Sequence, residues 1–178
     1  MIQLTSKNIK LRALEPQDLD FLFHIENDTS FWEVSNTVVP FSQYILSQYL
    51  ANAHQDIYEA KQLRLIIENQ GNPIGMIDLF DFDPQHHRAG IGIVLLDKFQ
   101  HKGFANEALT IFIKYAFNTL QLHQLYANIT TDNQQSIKLF TNNNFELIGI
   151  KKDWIHIDNQ YKDEGLYQII NKQNTRNE

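Results

Sequence analysis

The chain has 178 residues, 43% of them hydrophobic, with no cysteine and a formal net charge of −6; this suits a single domain with one sizeable core. The missing cysteines exclude disulfides, thiolate metal sites and a cysteine nucleophile, and fit a cytoplasmic setting. With no basic run longer than Lys151 and Lys152, no stretch near the roughly 18 apolar residues of a membrane helix and no apolar core after the N-terminus, nucleic-acid binding, membrane insertion and export are not expected.

Residues 8–14, NIKLRAL, alternate Ile9, Leu11 and Ala13 with Lys10, Arg12 and Leu14, the period of a strand. Pro16 then opens a helix, with Asp18 and Asp20 at its positive end. Residues 41–55 follow as a second helix, with Ser42 as N-cap. Residues 62–68 and 73–82 are strands joined by Asn69, Gln70, Gly71 and Asn72, a hairpin loop containing glycine. Residues 88–96 form a third strand of this group. A helix runs from the loop at 100–103 to about Asn118, with Ala105, Leu109, Phe112, Ile113, Ala116 and Phe117 on one apolar stripe. A strand at 123–130, a helix at 133–143 and a strand at 145–150 come next. Residues 153–158 and 165–170 make a last hairpin or a bent strand, and 173–178 are a polar tail. The order β-α-α-β-β-β-α-β-α-β-β joins early strands by hairpins and later ones by helical crossovers. It predicts an α/β fold in which a mixed sheet is covered by helices, as a single domain over residues 1–172.

Several motifs fail on inspection. Gly90-Ile91-Gly92 has Leu95 where a dinucleotide fingerprint needs its third glycine. His86 and His87 lack further ligands at helical spacing, so no metal is expected. No nucleotide P-loop or serine-hydrolase elbow occurs. What remains is QHKGFA, residues 100–105, between a strand and a helix. Backbone N–H groups at a helix start are unpaired and partly positive, a natural anion site. Gly103 lets the backbone approach a phosphate, Ala105 is small at the first turn, and Lys102 or His101 adds charge. On the hexapeptide alone, a glycine that only shapes the turn is an equal reading.

Three stretches together resemble the GNAT N-acetyltransferase family over about residues 8–170. They are NIKLRALEPQDLDFLFHIEND, QHKGFANEAL and DNQQSIKLFTNNNFELIG. The second matches the family's acetyl-CoA loop, Q/R-x-x-G-x-G/A, and the third is similar to its N-x-x-S/A-x-x-L-Y-x-x-x-G-F-x-x-x-G segment. HHRAGIGIVLLDKFQHKGFA and the overall layout look most like spermidine/spermine-type and ribosomal-protein N-terminal acetyltransferases. The resemblance implies a GNAT-like acyl-CoA N-acyltransferase fold, with a mostly antiparallel sheet, and direct acetyl transfer from acetyl-CoA to a primary amine. The implied acceptor is a small di- or polyamine or a protein N-terminus, and self-association as a homo-oligomer stays open. Ile93, Val94 and Leu95 are implied to pair with the pantetheine arm through their backbone. Gln100, His101, Lys102, Gly103, Phe104, Ala105 and Asn106 are implied to wrap the pyrophosphate. Asn133, Ser136 and Phe140 are implied to meet the cofactor's far side, and their i, i+3, i+7 spacing independently puts them on one helix face.

Transfer to an amine requires that an ammonium lose a proton, since a lysine-like group has a pKa around 10. It also requires donors for the developing oxyanion and a proton for the departing sulfur. Asp78 is the expected base, with an ion-paired or solvated strand aspartate as an equal reading: its neighbours Ile74, Met76, Ile77, Leu79 and Phe80 are apolar, which would raise a carboxyl pKa. The resemblance supports it, since spermidine-type relatives carry an acid there. The family's usual acid, a tyrosine, is replaced by Phe140, leaving Ser136 or water to donate. Asn144 stands where the family has glycine before Phe145, and asparagine tolerates left-handed backbone. Val38-Val39-Pro40 replaces the paired acids of the polyamine subfamily, with Asp28, Glu33 and Glu59 as possible substitutes. Phe31, Trp32 and Phe41 are read as core, with the walls of an apolar acceptor pocket as the alternative. Phe140 also favours an alternative, a catalytically reduced acetyl-CoA-binding module or sensor.

Overall fold

The chain is described here by a computed structural model over residues 4–35 and 37–172; the expected polar tail at 173–178 lies outside the described residues. In chain order the elements are β1 (Lys10–Arg12), α1 (Leu19–Glu26), α2 (Trp32–Ser35), α3 (Gln43–Ala51), α4 (Ile57–Ala60), β2 (Leu63–Asn69), β3 (Asn72–Asp83), β4 (Arg88–Leu95), α5 (Phe104–Asn118), β5 (Gln124–Thr130), α6 (Gln134–Asn142), β6 (Glu146–Ile157) and β7 (Gln160–Ile170). The short helices α2 and α4 carry too few turns for a periodic signal and were not expected from the sequence. The strand expected at 145–150 continues to Ile157, with register shifts between Leu147 and Gly149 and between Lys151 and Ile155. Those bulges break the alternation that would have marked one long strand.

The strands form one sheet in the order β1-β2-β3-β4-β5-β7-β6. Every neighbouring pair is antiparallel except β4 and β5, which are parallel and joined through α5. β7 inserts between β5 and β6, so the second helical crossover, α6, spans two strands rather than one.

Side chains leave the two faces alternately and build two cores. One face carries Leu65, Ile67, Ile77, Leu79, Ile91 and Leu95 against Ala108, Leu109, Phe112 and Ala116 of α5. The other carries Ile66 and Met76 against Leu22 and Ile25 of α1 and Leu46 of α3. Local caps fix the helix starts that matter below. The Ile45 N–H donates to Ser42 Oγ (3.2 Å), and the Ser136 N–H donates to Asn133 Oδ1 (3.0 Å), which caps α6. No helix among the described residues is long and apolar enough to cross a membrane.

Candidate active site

The sheet splits at its centre. β4 and β5 pair only at Arg88↔Gln124, Ala89↔Leu125 and Gly90↔Tyr126. Beyond these β4 continues with β3, and β5 with β7. Glycines shape the start of the split: a Cβ on Gly90 would lie 2.1 Å from the Phe80 ring, which lies across β4 there. The Leu96 N–H donates to Ile74 O (3.0 Å). Backbone groups alternate sides along an antiparallel ladder, so residues 92 and 94 also turn to β3 while 91, 93 and 95 face the split. This corrects one expectation, because Val94 spends its backbone on β3. Ile93 and Leu95 present theirs to the opening, and the Leu95 carbonyl accepts from Gln100 Nε2 (3.2 Å).

At the end of β4 the chain turns into α5 through the expected loop. Gly103 is the N-cap residue with φ 84°, a left-handed conformation that costs glycine little and a branched residue much. A Cβ there would meet nothing within 4 Å, so backbone conformation rather than crowding within the fold demands the glycine. The first intrahelical bond runs from the Glu107 N–H to Gly103 O (3.1 Å), leaving the N–H groups of Phe104, Ala105 and Asn106 without helical partners. His101 and Lys102 are exposed, and Lys98 and Lys102 flank the Phe99 ring at 5.1 and 5.6 Å. Asn106 Oδ1 accepts from Asn143 Nδ2 (2.8 Å), tying α5 to the end of α6. An opening with unpaired backbone groups, followed by a helix N-terminus and nearby cations, fits an extended amide-bearing arm that ends in a pyrophosphate.

A cavity of about 390 Å³ lies at the split. Asn133, Ser136 and Phe140 all line it, as their spacing on one face of α6 requires. Phe140 is 4% exposed and packs edge-to-face on Phe145, with ring centroids 5.0 Å apart. Asn144, just before that phenylalanine, has φ 65° and so takes the left-handed conformation expected of it. Among the described residues that line the cavity none is a tyrosine, and the hydroxyls are those of Ser35, Thr130 and Ser136. Ser35 Oγ donates to Phe31 O (2.9 Å), and Thr130 bonds Asp132.

Asp78 lines the same cavity and is the ion-paired aspartate of the alternative reading rather than a lone carboxylate among apolar neighbours. Arg64 stands directly opposite it on β2. Arg64 Nε donates to Asp78 Oδ1 (2.7 Å) and Nη2 to Oδ2 (3.0 Å), while Nη1 donates to Glu26 of α1. Burial works to lower the guanidinium's pKa, yet Asp78 and Glu26 outweigh it and hold it above its ordinary value. Glu33 and Glu164 complete the acidic wall. Lys162 Nζ bridges Glu33 (2.7 Å) and Asp132 (2.8 Å), and its pKa is pushed up to about 12 by those two bonds. Lys151 pairs with Glu164. Of the acids proposed to replace the missing pair, only Glu33 reaches the cavity. Asp28 accepts from the Ser30 N–H in a turn (3.0 Å), and Glu59 lies on α4. Phe31 is buried in the α1–α3 core and also lines the cavity. Arg64, Glu26, Glu164 and Lys162 were missed from sequence. Their signal, charged residues inside apolar or alternating strands, becomes specific only once the strand register is known.

A family model for the acetyltransferase (GNAT) domain matches residues 8–146. Spermidine N(1)-acetyltransferase of Vibrio cholerae is 27% identical over 178 residues, covering 97% of this chain and 99% of that protein. The enzyme of the same name from Escherichia coli (strain K12) is 26% identical over 161 residues, covering 89% and 83%. The crystal structure of spermidine N-acetyltransferase from Vibrio cholerae in complex with CoA and spermine superposes with a TM-score of 0.83 at 26% identity, over 93% of this chain and 96% of that one. Split sheet, glycine-capped α5 and family match agree: the chain belongs to the GNAT acetyltransferase family and is an acetyl-CoA-dependent N-acetyltransferase.

Proposed function

We propose that the acceptor is a small primary amine that enters the cavity at the β4–β5 split as an ammonium. The observation that carries this reading is the wall of carboxylates, Glu26, Glu33, Asp78 and Glu164, on a cavity that Ser136 and Phe140 also line. Di- and polyamines are the class its relatives are named for. A protein N-terminus is a second reading, favoured by Val34, which lines the cavity and is 52% exposed, and by the exposed Val38 and Val39. Residues 1–172 act as one domain in this reading. Exposed Leu147, Ile148, Ile150 and Trp154 along the edge strand β6 support self-association into a homo-oligomer.

Bound acetyl-CoA supplies the acetyl group as a thioester, whose carbonyl carbon takes the amine nitrogen as the C–S bond breaks. Gly103, Phe104, Ala105 and Asn106 hold the pyrophosphate by backbone N–H groups, with Gln100, His101 and Lys102 around it. Ile93 and Leu95 hold the pantetheine arm, and Val94, Asn133 and Phe140 wall it. Asp78 accepts the ammonium proton, directly or through water. Ser136 donates its proton to the departing sulfur and regains one, directly or through water, from the nitrogen as it becomes an amide, since Ser35 and Thr130 already have partners.

The test is thiol release from acetyl-CoA over a panel of amines. Amine-dependent thiol release is the expected result. Ser136→Ala is expected to slow it about tenfold or more, as for loss of a proton donor, and Phe140→Tyr to leave it unchanged. Release at the same rate with and without amine would sink the transfer reading. Stabilisation by acetyl-CoA without any release would favour a cofactor-binding sensor. A Phe140→Tyr enzyme about tenfold faster, with Ser136→Ala unaffected, would mark an enzyme lacking its acid.

A further inference from the structure

Every carboxylate on the cavity wall already faces a cation of this chain. Arg64 holds Asp78 and Glu26, Lys162 holds Glu33, and Lys151 holds Glu164. Lys162 is shared between Glu33 and Asp132, and in the cluster around Arg64 two carboxylates, Glu26 and Asp78, face one guanidinium, a net charge of one negative. One incoming ammonium balances it. A polyamine would have to displace Arg64 to find a second partner there.

The three cations differ in how readily they yield. Lys151 and Lys162 have side chains 30% and 27% exposed, and an ammonium on a flexible stem exchanges for another ammonium at little cost in geometry. Arg64 is 18% exposed. Its fork spans both oxygens of a residue directly across the ladder, and its third nitrogen reaches a different element. Its guanidinium carbon also lies 5.6 Å from the centroid of the Tyr49 ring. A planar donor held from β3, α1 and α3 at once has no second arrangement to move to.

We infer that Arg64 is a specificity-determining residue. Asp78 receives the reacting nitrogen, and the Arg64 guanidinium fills the place beside Glu26 where a second ammonium of the acceptor would bind, so the pocket prefers an amine of single positive charge over a polyamine. This rests on the amine-transfer reading above and narrows its substrate class. The acidic pair is present but occupied from within.

The experiment compares kcat/KM for butylamine, 1,4-diaminobutane and spermidine in the wild type, in Arg64→Gln and in the double variant Glu26→Gln/Arg64→Gln. In the wild type kcat/KM is expected not to rise along the series. Arg64→Gln frees Glu26 and Asp78, which leaves one more uncompensated negative charge, and is expected to raise the spermidine-to-butylamine ratio about tenfold or more, on the scale of one new charge contact in a partly buried site. The ratio cancels any loss of rate common to all amines. The double variant restores the net charge and is expected to bring the ratio back to within about threefold of the wild type. Should the single variant not fold, the wild-type series decides. A wild type favouring spermidine over butylamine about tenfold or more, or an unchanged ratio in folded Arg64→Gln, would overturn the inference. Absence of amine-dependent thiol release with every amine would overturn the transfer reading, and this inference with it.

Discussion

Asp78→Asn is expected to lower kcat/KM for the amine about 10²-fold while leaving stabilisation by acetyl-CoA in place. The acceptor arrives protonated and reacts only as the free amine, so a proton acceptor within the cavity acts on the step that follows binding. Asp78 lines that cavity with its side chain 21% exposed. Both oxygens accept from Arg64, which fixes the plane of the carboxylate and uses about half of its lone pairs. The remaining lone pairs are free to take an ammonium N–H. A carboxylate so engaged is placed to hold the ammonium and relay its proton to water, so the expected loss sits at the lower end of the general-base range of roughly 10²–10⁴. Steady-state kinetics beside thermal melting in acetyl-CoA separates the outcomes. Undiminished turnover would move the proton acceptor elsewhere on the wall. Loss of turnover together with loss of the acetyl-CoA effect would mark damage to the fold.

The largest effect on stability is expected far from the chemistry. Asp18 is 4% exposed and accepts from Arg12 Nη1 (2.8 Å), Arg12 Nη2 (2.9 Å) and the Glu15 N–H (2.8 Å). It joins β1 to the start of α1. Asp18→Asn keeps the size of the side chain but leaves a partly buried guanidinium short of one charge, and is expected to destabilise by about 3 kcal/mol. For a domain of this size that is a fall in melting temperature of roughly 6–12 °C. Burial works to raise the Asp18 carboxyl, yet the Arg12 and Glu15 bonds outweigh it and hold it below the usual aspartate range. A depressed pKa contributes stability above the unfolded value of about 3.9, and that stability is lost as pH falls through the folded one. The gap between wild type and Asp18→Asn should therefore narrow below about pH 4. A gap that stays constant from pH 7 to about pH 3 would show that the pair's charge is not its contribution.

How much of this was legible depended on whether the signal was local. The stripe on α5, the Ser42 cap, the left-handed Asn144 and the loop before α5 are set within a few residues, and the sequence carries each of them. The partner of Asp78 is not local. A regular hairpin closing at Asn69↔Asn72 would place Arg64 opposite Ile77, with its side chain on the wrong face. The register shift between Ile67 and Glu68 moves it by one residue, to Asp78. One extra residue in β3 thus decides between the two readings of Asp78 and makes it half of an ion pair. The same logic hid Lys162 and Glu33, which are brought together from β7 and α2 at the far ends of the chain. The commitment of the Val94 backbone to β3 likewise follows only from the phase of the ladder.

Acetyl-CoA binding at the split sheet through the N-terminus of α5 is tested most directly by a melting curve. At about 100 times its dissociation constant, acetyl-CoA is expected to stabilise the wild type by roughly 2.7 kcal/mol. Gly103→Val is expected to lose that gain, because a branched residue cannot hold φ near the observed 84°, and the rearranged turn would carry the Phe104 and Ala105 N–H groups away from the anion. A wild-type melting temperature indifferent to acetyl-CoA would contradict binding at this site.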